Sequence, residues 1–276
     1  MRLALRLTAA CVACVLSVHA ALADENGPRP TVPLSPPAAS AMPGGPLGDA
    51  VRYGQRIATD TQSTVGAYVG NALNCVSCHL GGGRTAYAAP FVGLTGLFPE
   101  YRSRRGNVES LEQRINDCFL RSMNGRALPS GSREMIGLLA YVSWLSQGVP
   151  TGSEVVGRGF RDLPAPPAPA DAGRGKAGYS AKCAACHGAY GQGTLAGGKY
   201  VFPPLWGPRS FNTGAGMARL SVAAAFVQTK MPLGNAGTLT DQEAYDIAAY
   251  FTTQSRPEFA GAKNDWPKGS RPTDAR

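Results

Sequence analysis

The sequence predicts an all-α protein made of two small domains joined by a proline-rich linker. The motif Cys-x-x-Cys-His occurs twice in 276 residues, beginning at Cys75 and at Cys183. Between the two motifs, the segment 163–169 reads Leu-Pro-Ala-Pro-Pro-Ala-Pro, which no packed helix could contain. Helix-capping patterns follow in each half. We therefore expect similar domains at 49–148 and 172–256, with a linker at 149–171.

The repeated motif is the signature of haem c attachment. Its two thiols form thioethers with the haem vinyl groups, and its histidine becomes an axial ligand of the iron. The sequence thus predicts two covalently bound haem c groups and two cytochrome c-like domains, each with a haem filling an otherwise thin apolar core. The predicted haem-binding residues are Cys75, Cys78 and His79 in the first domain and Cys183, Cys186 and His187 in the second.

The N-terminal segment 1–23 is expected to be a cleaved signal peptide. Arg2 and Arg6 precede an uncharged run at 7–18 and a small-residue site at 21–23. Export agrees with haem c attachment, so we predict a periplasmic protein with no membrane span after signal cleavage. The segment 24–48 is rich in proline, alanine and serine, and it predicts an extended tether or an arm that wraps the domain.

Helices of the first domain are predicted at about 49–59, 110–123 and 132–146. The second of these begins with a capping box, Ser110 to Gln113, and stops at Asn124 and Gly125. In the second domain, helices are predicted at about 172–183 and from a capping box at Thr240 through about residue 251. The basic tail at 257–276 is interrupted by prolines, and we expect it to be surface-exposed or frayed.

The sixth ligand of each iron cannot be histidine, because the third histidine, His19, lies in the leader. For the second haem, Met231 is the preferred ligand, since a thioether is common in electron-transfer cytochromes. Met217 is its rival, although it lies in a glycine-rich loop. Lys230 could replace Met231 in one redox state, because Fe(III) accepts an amine better than Fe(II) does. A solvated surface lysine is the alternative interpretation.

Cys118 is the only cysteine outside both motifs and the leader, and it competes with Met123 and Met135 as the sixth ligand of the first haem. A lone cysteine is often just a small buried hydrophobic residue. Helical spacing, however, can bring Arg114 near Cys118, together with Arg121 and Ser122. Cationic neighbours favour the thiolate, which is the nucleophilic and metal-binding form. We therefore predict that Cys118 is a ligand or a nucleophile.

Charge indicates which partners the protein can attract. The formal net charge is +9, and three arginines, Arg102, Arg104 and Arg105, form a basic loop that is either solvated or able to hold an anion. Nothing in the sequence resembles a nucleic-acid-binding module, so we expect no such partner.

A family resemblance is carried by several segments: 70–80 with the first motif, 101–104, 114–125 around Cys118, 140–146, and 230–232. Together they resemble the TsdA-type dihaem thiosulfate dehydrogenases over nearly the whole mature chain. The resemblance implies an active-site haem bound by His79 and Cys118. It also implies a second haem bound by His187 and Met231, where Lys230 exchanges with Met231 on reduction. The residues implied to surround the substrate pocket are Arg104, Arg114 and Ser122.

The activity that the resemblance implies is the oxidation of two thiosulfate ions to tetrathionate. The implied electron acceptor is a soluble redox protein, such as a small cytochrome c or a high-potential iron-sulfur protein. The same site could run in reverse as a tetrathionate reductase. The rival hypothesis is a non-catalytic dihaem electron carrier in which Cys118 is structural.

Overall fold

The protein is described from a computed structural model that covers residues 29–275, so the predicted signal peptide at 1–23 lies outside the described residues. Helices dominate the fold, as the sequence predicts. The α-helices are α1 Gly45–Thr59, α2 Thr61–Val65, α3 Leu80–Gly83, α4 Leu111–Arg121, α5 Arg133–Leu145, α6 Ala172–Lys182, α7 Ala184–His187, α8 Leu220–Lys230 and α9 Asp241–Thr252. Within 29–275, no helix is long and apolar enough to cross a membrane.

Within residues 29–275, six short strands form three two-stranded pairs. The strands are β1 Thr31–Val32, β2 Glu100–Arg102, β3 Asn107–Glu109, β4 Glu154–Val155, β5 Thr194–Ala196 and β6 Lys199–Phe202. The pairs β2–β3 and β5–β6 are antiparallel hairpins, one in each half of the chain, whereas β1 and β4 pair in parallel. Such small pairs tie loops together and do not build a sheet core.

The two halves share one packing plan. In the first half α1 packs along α5, and in the second half α6 packs along α9. Each crossing is close: a Cβ atom at Gly54 would collide with the carbonyl of Gly137, and one at Gly175 would collide with the carbonyl of Asp246. Glycine is therefore needed at Gly54 and Gly175, where the backbones meet.

The capping boxes predicted from the sequence are confirmed. Ser110 accepts a hydrogen bond from the backbone N–H of Gln113 at the start of α4, and Thr240 does the same for Glu243 at the start of α9. Helix α1 begins at Gly45, four residues before its predicted start, with Pro46 in its first turn. Helix α8 was not predicted. Its alanine-rich segment has a weak amphipathic pattern, because most of its face is buried between α9 and the loops around it.

The arm and the linker both pack against the first half. Strand β1 of the arm pairs with β4 of the linker. The linker backbone then continues along the loop at 87–89: the N–H of Tyr87 donates to the carbonyl of Gly157 (2.6 Å), and the N–H of Ala89 donates to the carbonyl of Gly159 (2.7 Å). The first part of the linker is therefore built into the fold, and it hydrogen-bonds a loop of the first domain.

The tail, predicted to be surface-exposed or frayed, has many exposed residues, but part of it packs against the first domain. Trp266 is 8% exposed, and its backbone N–H donates to the backbone carbonyl of Arg104 (2.8 Å). The Asp265 carboxylate accepts hydrogen bonds from Arg121 (2.7 and 2.8 Å) and from Nε of Arg104 (2.8 Å). The tail stays in place because its carboxylate neutralises two buried or half-buried arginines of the first domain.

Hydrogen bonds and apolar contacts also join the two domains directly. The Asn71 amide donates to the carbonyls of Ser122 (2.7 Å) and Ser210 (3.1 Å), and Asn212 donates to the carbonyl of Leu120 (2.9 Å). Both asparagines are buried. A single apolar cluster contains Leu73 and Phe119 from the first domain together with residues of α8 and α9. The two domains therefore share a core.

Candidate functional site

The first motif is locked by hydrogen bonds from α2. The Thr61 hydroxyl accepts from the backbone N–H of Cys75 (2.9 Å) and donates to its Sγ (3.4 Å). Residues Cys75–Ser77 form one 3-10 turn, with a capping box between Asn74 and Ser77. Both cysteines of the motif and the histidine that follows are consequently held on one wall of the same cavity.

His79 is oriented by the loop that the linker supports. Its Nδ1 lies 2.6 Å from the carbonyl oxygen of Ala89, and its ring packs at 4.5 Å from the ring of Phe91. When Nδ1 donates its proton to a carbonyl, Nε2 becomes the nitrogen that is free to bind a metal. His79 is thus arranged as an axial ligand, as its motif predicts.

Cys118 lies on α4 and lines the same cavity as His79. Nη1 of Arg114, one helical turn earlier, donates to the Cys118 Sγ at 3.1 Å. Burial by itself raises the pKa of this thiol. The positive charge of Arg114, with hydrogen bonds from His79 and Arg114, outweighs that effect and lowers the pKa to about 7. Cys118 therefore favours the thiolate, which is both a nucleophile and an iron ligand.

The motif cysteines have the opposite character. When these thiols are free, burial raises their pKa values: to about 11 for Cys75, to about 12 for Cys78 and to about 11 for Cys183. Of these four thiols, only Cys118 has a guanidinium hydrogen-bonded to its sulfur. The structure therefore distinguishes one sulfur with thiolate character from the sulfurs predicted to attach haem.

The first cavity suits a haem group. It has a volume of about 460 Å³, and most of its walls are apolar, with Leu94, Phe98, Ile115 and Phe211 among the lining residues. The thiols of Cys75 and Cys78 lie on its wall together with His79 and Cys118, so thioether attachment and two axial ligands are available in one cavity. This donor set fits haem c.

The second cavity has a volume of about 290 Å³ and repeats these features. Cys183, Cys186 and His187 line it, and Nδ1 of His187 lies 2.9 Å from the carbonyl oxygen of Pro203. Met231 follows α8 and lines the cavity as well. Lys230 is not among the lining residues; its Nζ lies 6.0 Å from the ring of Tyr87 in the first domain, and burial lowers its pKa.

The two cavities share a wall. Five residues line both: Leu73, Asn74, Cys78, Phe211 and Met217. Leu73, Asn74 and Cys78 belong to or flank the first motif, and Phe211 and Met217 lie in the segment that precedes α8. Met217, the predicted rival of Met231, is therefore placed between the cavities, while Met231 lines only the second. Groups bound in the two cavities would be separated by single side chains.

The remaining predicted residues are placed as follows. Ser122 and Met123 line the first cavity, whereas the buried Met135 does not. Arg104 is not among its lining residues; its guanidinium is held by Asp265 and stacks on the Trp266 ring at 4.7 Å. Arg121 also turns away from Cys118, because Asp265 binds it in a bidentate manner.

Sequence reasoning missed three charged residues of this cavity, Glu100, Glu154 and Arg158. Nη2 of Arg158 donates to both carboxylate oxygens of Glu100 at 3.0 Å. Arg158 lies within the predicted linker, where composition gave no reason to expect a site residue. The sequence contains no local signal for this contact, because the two residues are distant in the chain and meet only through the fold.

Comparisons with known proteins agree with the fold and the site. Residues 69–151 match the family model of the SoxA/TsdA cytochrome c domain, and residues 170–251 match that of the cytochrome c oxidase cbb3-type subunit III. The chain is 52% identical over 241 residues to a thiosulfate dehydrogenase of Allochromatium vinosum, covering 86% of this chain and 89% of the relative. It is 44% identical to a thiosulfate dehydrogenase of Psychrobacter arcticus, covering 92% and 77% respectively.

A solved structure is also similar: the thiosulfate dehydrogenase TsdBA of Marichromatium purpuratum in its as-isolated form, with a TM-score of 0.81 and 40% identity. The match covers 87% of this chain and 54% of that one, so the chain spans about half the length of the solved protein. The family predicted from the sequence is confirmed. With two cytochrome c domains and relatives of this identity along most of its length, the chain belongs to the thiosulfate dehydrogenases, which are haem-binding oxidoreductases.

Proposed function

We propose that this protein oxidises two thiosulfate ions to tetrathionate in the periplasm and passes two electrons to a soluble redox protein. The observation that carries the proposal is the arrangement of Cys118. Its sulfur receives a hydrogen bond from Arg114 (3.1 Å) and lies in the same cavity as His79, whose Nδ1 is already engaged. A thiolate beside a cation and a candidate iron ligand suits the oxidation of an anionic sulfur compound.

We propose that two haem c groups are covalently bound, one in each cavity. His79 and Cys118 would ligate the first iron, and His187 and Met231 the second, with Lys230 able to replace Met231 in one redox state. When bound, such groups accept one electron each, so a pair can store both electrons of the reaction. The wall shared by the two cavities supports this pairing, because it keeps the two groups close together.

The Cys118 thiolate is proposed to act as a transient sulfur carrier. Its sulfur forms a bond with the outer sulfur of one thiosulfate. The two electrons released as this bond forms pass to the soluble redox protein. The outer sulfur of a second thiosulfate then attacks the sulfur attached to Cys118. This step forms the central bond of tetrathionate, breaks the bond to Cys118 and restores the thiolate. The balance is two thiosulfate ions to one tetrathionate ion and two electrons.

Arg114 and Ser122 are proposed to hold the substrate anions beside Cys118. A guanidinium offers several fixed donors and offsets the repulsion between two dianions. Arg104 is proposed as a further member of this site. Asp265 and Trp266 hold the Arg104 guanidinium outside the set of residues that line the cavity. The same groups would bind tetrathionate, so the site could also act as a reductase when the potentials favour it.

The proposal is tested by mixing the oxidised holoprotein with thiosulfate without oxygen, with ferricyanide as the electron acceptor, and measuring tetrathionate. We expect sustained turnover in the wild type and its loss in Cys118→Ala and Cys118→Ser, both with two haems per chain by absorbance. Near wild-type turnover in either variant would contradict the sulfur-carrier role. If the wild type neither oxidises thiosulfate nor reduces tetrathionate, the electron-carrier hypothesis is favoured.

A further inference from the structure

The linker contributes a charged side chain to the first cavity. Arg158, Gly159 and Phe160 all line this cavity, although they lie beyond α5 and outside the first domain as the sequence delimits it. The segment is fixed there by the hydrogen bonds from Tyr87 and Ala89 to the carbonyls of Gly157 and Gly159 (2.6 and 2.7 Å). Arg158 is therefore held in place by backbone structure, and its side chain is 21% exposed.

Arg158 belongs to a cluster of charges around Glu100. Arg158 and Arg102 both hydrogen-bond the Glu100 carboxylate, at 3.0 Å and 3.1 Å, and Arg29 lies 3.5 Å from it at the surface. Glu154 adds a second carboxylate, 3.6 Å from Arg158. Three guanidinium groups thus face two carboxylates, and both carboxylates line the cavity. Arg102 and Arg158 line the cavity, whereas Arg29 does not.

This cluster is separate from the arginine that contacts the reactive sulfur. Arg114 hydrogen-bonds Cys118, while neither Arg102 nor Arg158 has a hydrogen bond with either of them among the described contacts. Glu100 holds Arg158 through Nη2 alone, since that nitrogen reaches both carboxylate oxygens. In the described part of the chain, only Nη1 of Arg102 and Nη2 of Arg158 hydrogen-bond Glu100, so the other N–H groups of these two guanidiniums are available to an anion in the cavity.

We propose that Arg102 and Arg158, oriented by Glu100, form a second oxyanion subsite in the first cavity. The group bound there is a carboxylate or a sulfonate: either a propionate of the haem or the sulfonate end of a thiosulfate or tetrathionate ion. Both offer coplanar or trigonal oxygens that a guanidinium can bind with two hydrogen bonds. The inference rests on the proposed function for the identity of these anions, but the charge cluster itself does not depend on it.

The test compares Arg158→Gln with Arg29→Gln in the holoprotein. Both substitutions remove one positive charge from the same carboxylate, but only Arg158 lines the cavity, so Arg29→Gln is a matched control. One measurement is a redox titration without substrate, following the haem whose spectrum changes in Cys118→Ala. The other is calorimetric binding of sodium thiosulfate, with sodium chloride used to match the ionic strength. Neither measurement requires turnover, so both remain informative if the proposed oxidation fails.

The two sources of the anion give different results. If the subsite binds a propionate, Arg158→Gln shifts the first haem to lower potential, because a neighbouring positive charge no longer disfavours Fe(III). If it binds a sulfonate, Arg158→Gln weakens thiosulfate binding by about tenfold or more, as expected for losing a charge-assisted hydrogen bond. Arg29→Gln leaves both quantities near the wild-type values. The proposal is overturned if Arg158→Gln changes neither quantity, or changes them no more than Arg29→Gln does.

Discussion

The environment of a single sulfur separates Cys118 from the other cysteines of the described chain. Burial acts on Cys75 and Cys118 in the same direction, because a thiolate is poorly solvated in an apolar cavity. Among them, Cys118 has a guanidinium at hydrogen-bonding distance, and the charge of Arg114 together with His79 lowers the pKa of the thiol in spite of its burial. One arginine placed four residues earlier on the same helix therefore makes the largest contribution to the thiolate character of Cys118.

Replacing Arg114 tests this conclusion at the residue scale. In Arg114→Met, the hydrogen bond to Sγ and the positive charge are both lost, so both the thiolate and the bound anion lose stabilisation. We expect kcat/KM for thiosulfate to fall by about a hundredfold, the size of effect seen when a single charge-stabilising donor is removed. Arg126→Met is the control, since Arg126 is exposed and donates to the carbonyl of Ala67 (2.8 Å). Equal activity in the two variants would show that Arg114 does not act on the reaction.

At the scale of elements, the linker stabilises the loop that orients His79 in the first cavity. Its backbone holds the loop at 87–89, and the carbonyl of Ala89 in that loop accepts from His79. Tyr87 and Ala89 both have positive φ angles, of 56° and 46°, which are uncommon for residues with side chains. The linker hydrogen bonds offset the cost of this backbone conformation.

Gly157 offers a test of this support. Gly157→Ala would place a Cβ atom 2.6 Å from that of Ala86, whereas Gly152→Ala meets nothing within 4 Å. Both glycines have positive φ angles, 85° and 80°, so the backbone cost is similar and the difference reports the collision. We expect Gly157→Ala to be less stable than Gly152→Ala by roughly 1–3 kcal/mol, as for other overpacked sites, and to shift the potential of the first haem. Chemical denaturation and redox titration measure the two effects, and equal stability of the two variants would show that the linker does not press on this loop.

How much of these elements the sequence could predict depends on the range of the interactions involved. The starts of helices α4 and α9 could be predicted because each capping box spans only four residues. Helical spacing alone predicted Arg114 near Cys118. The same spacing predicted Arg121 near Cys118, but Asp265 competes for that guanidinium and binds it more than a hundred residues away along the chain. Arg158 had no local signal at all. Long-range ion pairs of this kind are set by tertiary packing, which periodicity does not report.

At the scale of the whole molecule, the tail fastens the second domain to the first. After α9, Phe259 of the tail packs against Gly214. Further along the tail, the Asp265 carboxylate accepts hydrogen bonds from Arg104 and Arg121. Arg121 lies at the end of the helix that carries Cys118. The second domain and its tail therefore help to fix the position of the reactive helix, in addition to their shared core with the first domain.

Acid unfolding tests the contribution of Asp265. Burial raises the pKa of this carboxyl, but hydrogen bonds from Arg121 and Arg104 outweigh it, so its pKa in the folded protein lies below the ordinary 3.8. A carboxyl with a lowered pKa stabilises the fold above its ordinary pKa, and this stabilisation is lost as the pH falls through the lowered value. We expect Asp265→Asn to cost about 3 kcal/mol at neutral pH, as for breaking a buried ion pair, and progressively less as the pH falls from 3.8 through the lowered pKa. Urea denaturation of the holoprotein at several pH values measures this.

The exposed Asp49 provides the control for that experiment, because its ion pair with Arg52 is at the surface of α1. Surface pairs contribute little to stability, so Asp49→Asn should follow the wild-type pH dependence closely. A cost of Asp265→Asn that stays constant with pH would contradict the role of the carboxylate charge.

The wall between the two cavities has a consequence for which substitutions this protein can accept. Leu73, Asn74, Cys78, Phe211 and Met217 each face both cavities, so a substitution at any of them alters two environments at once. A substitution that suits one cavity must therefore also be tolerated by the other. A residue of an outer wall lines a single cavity, so a change there alters one environment and leaves the other as it was.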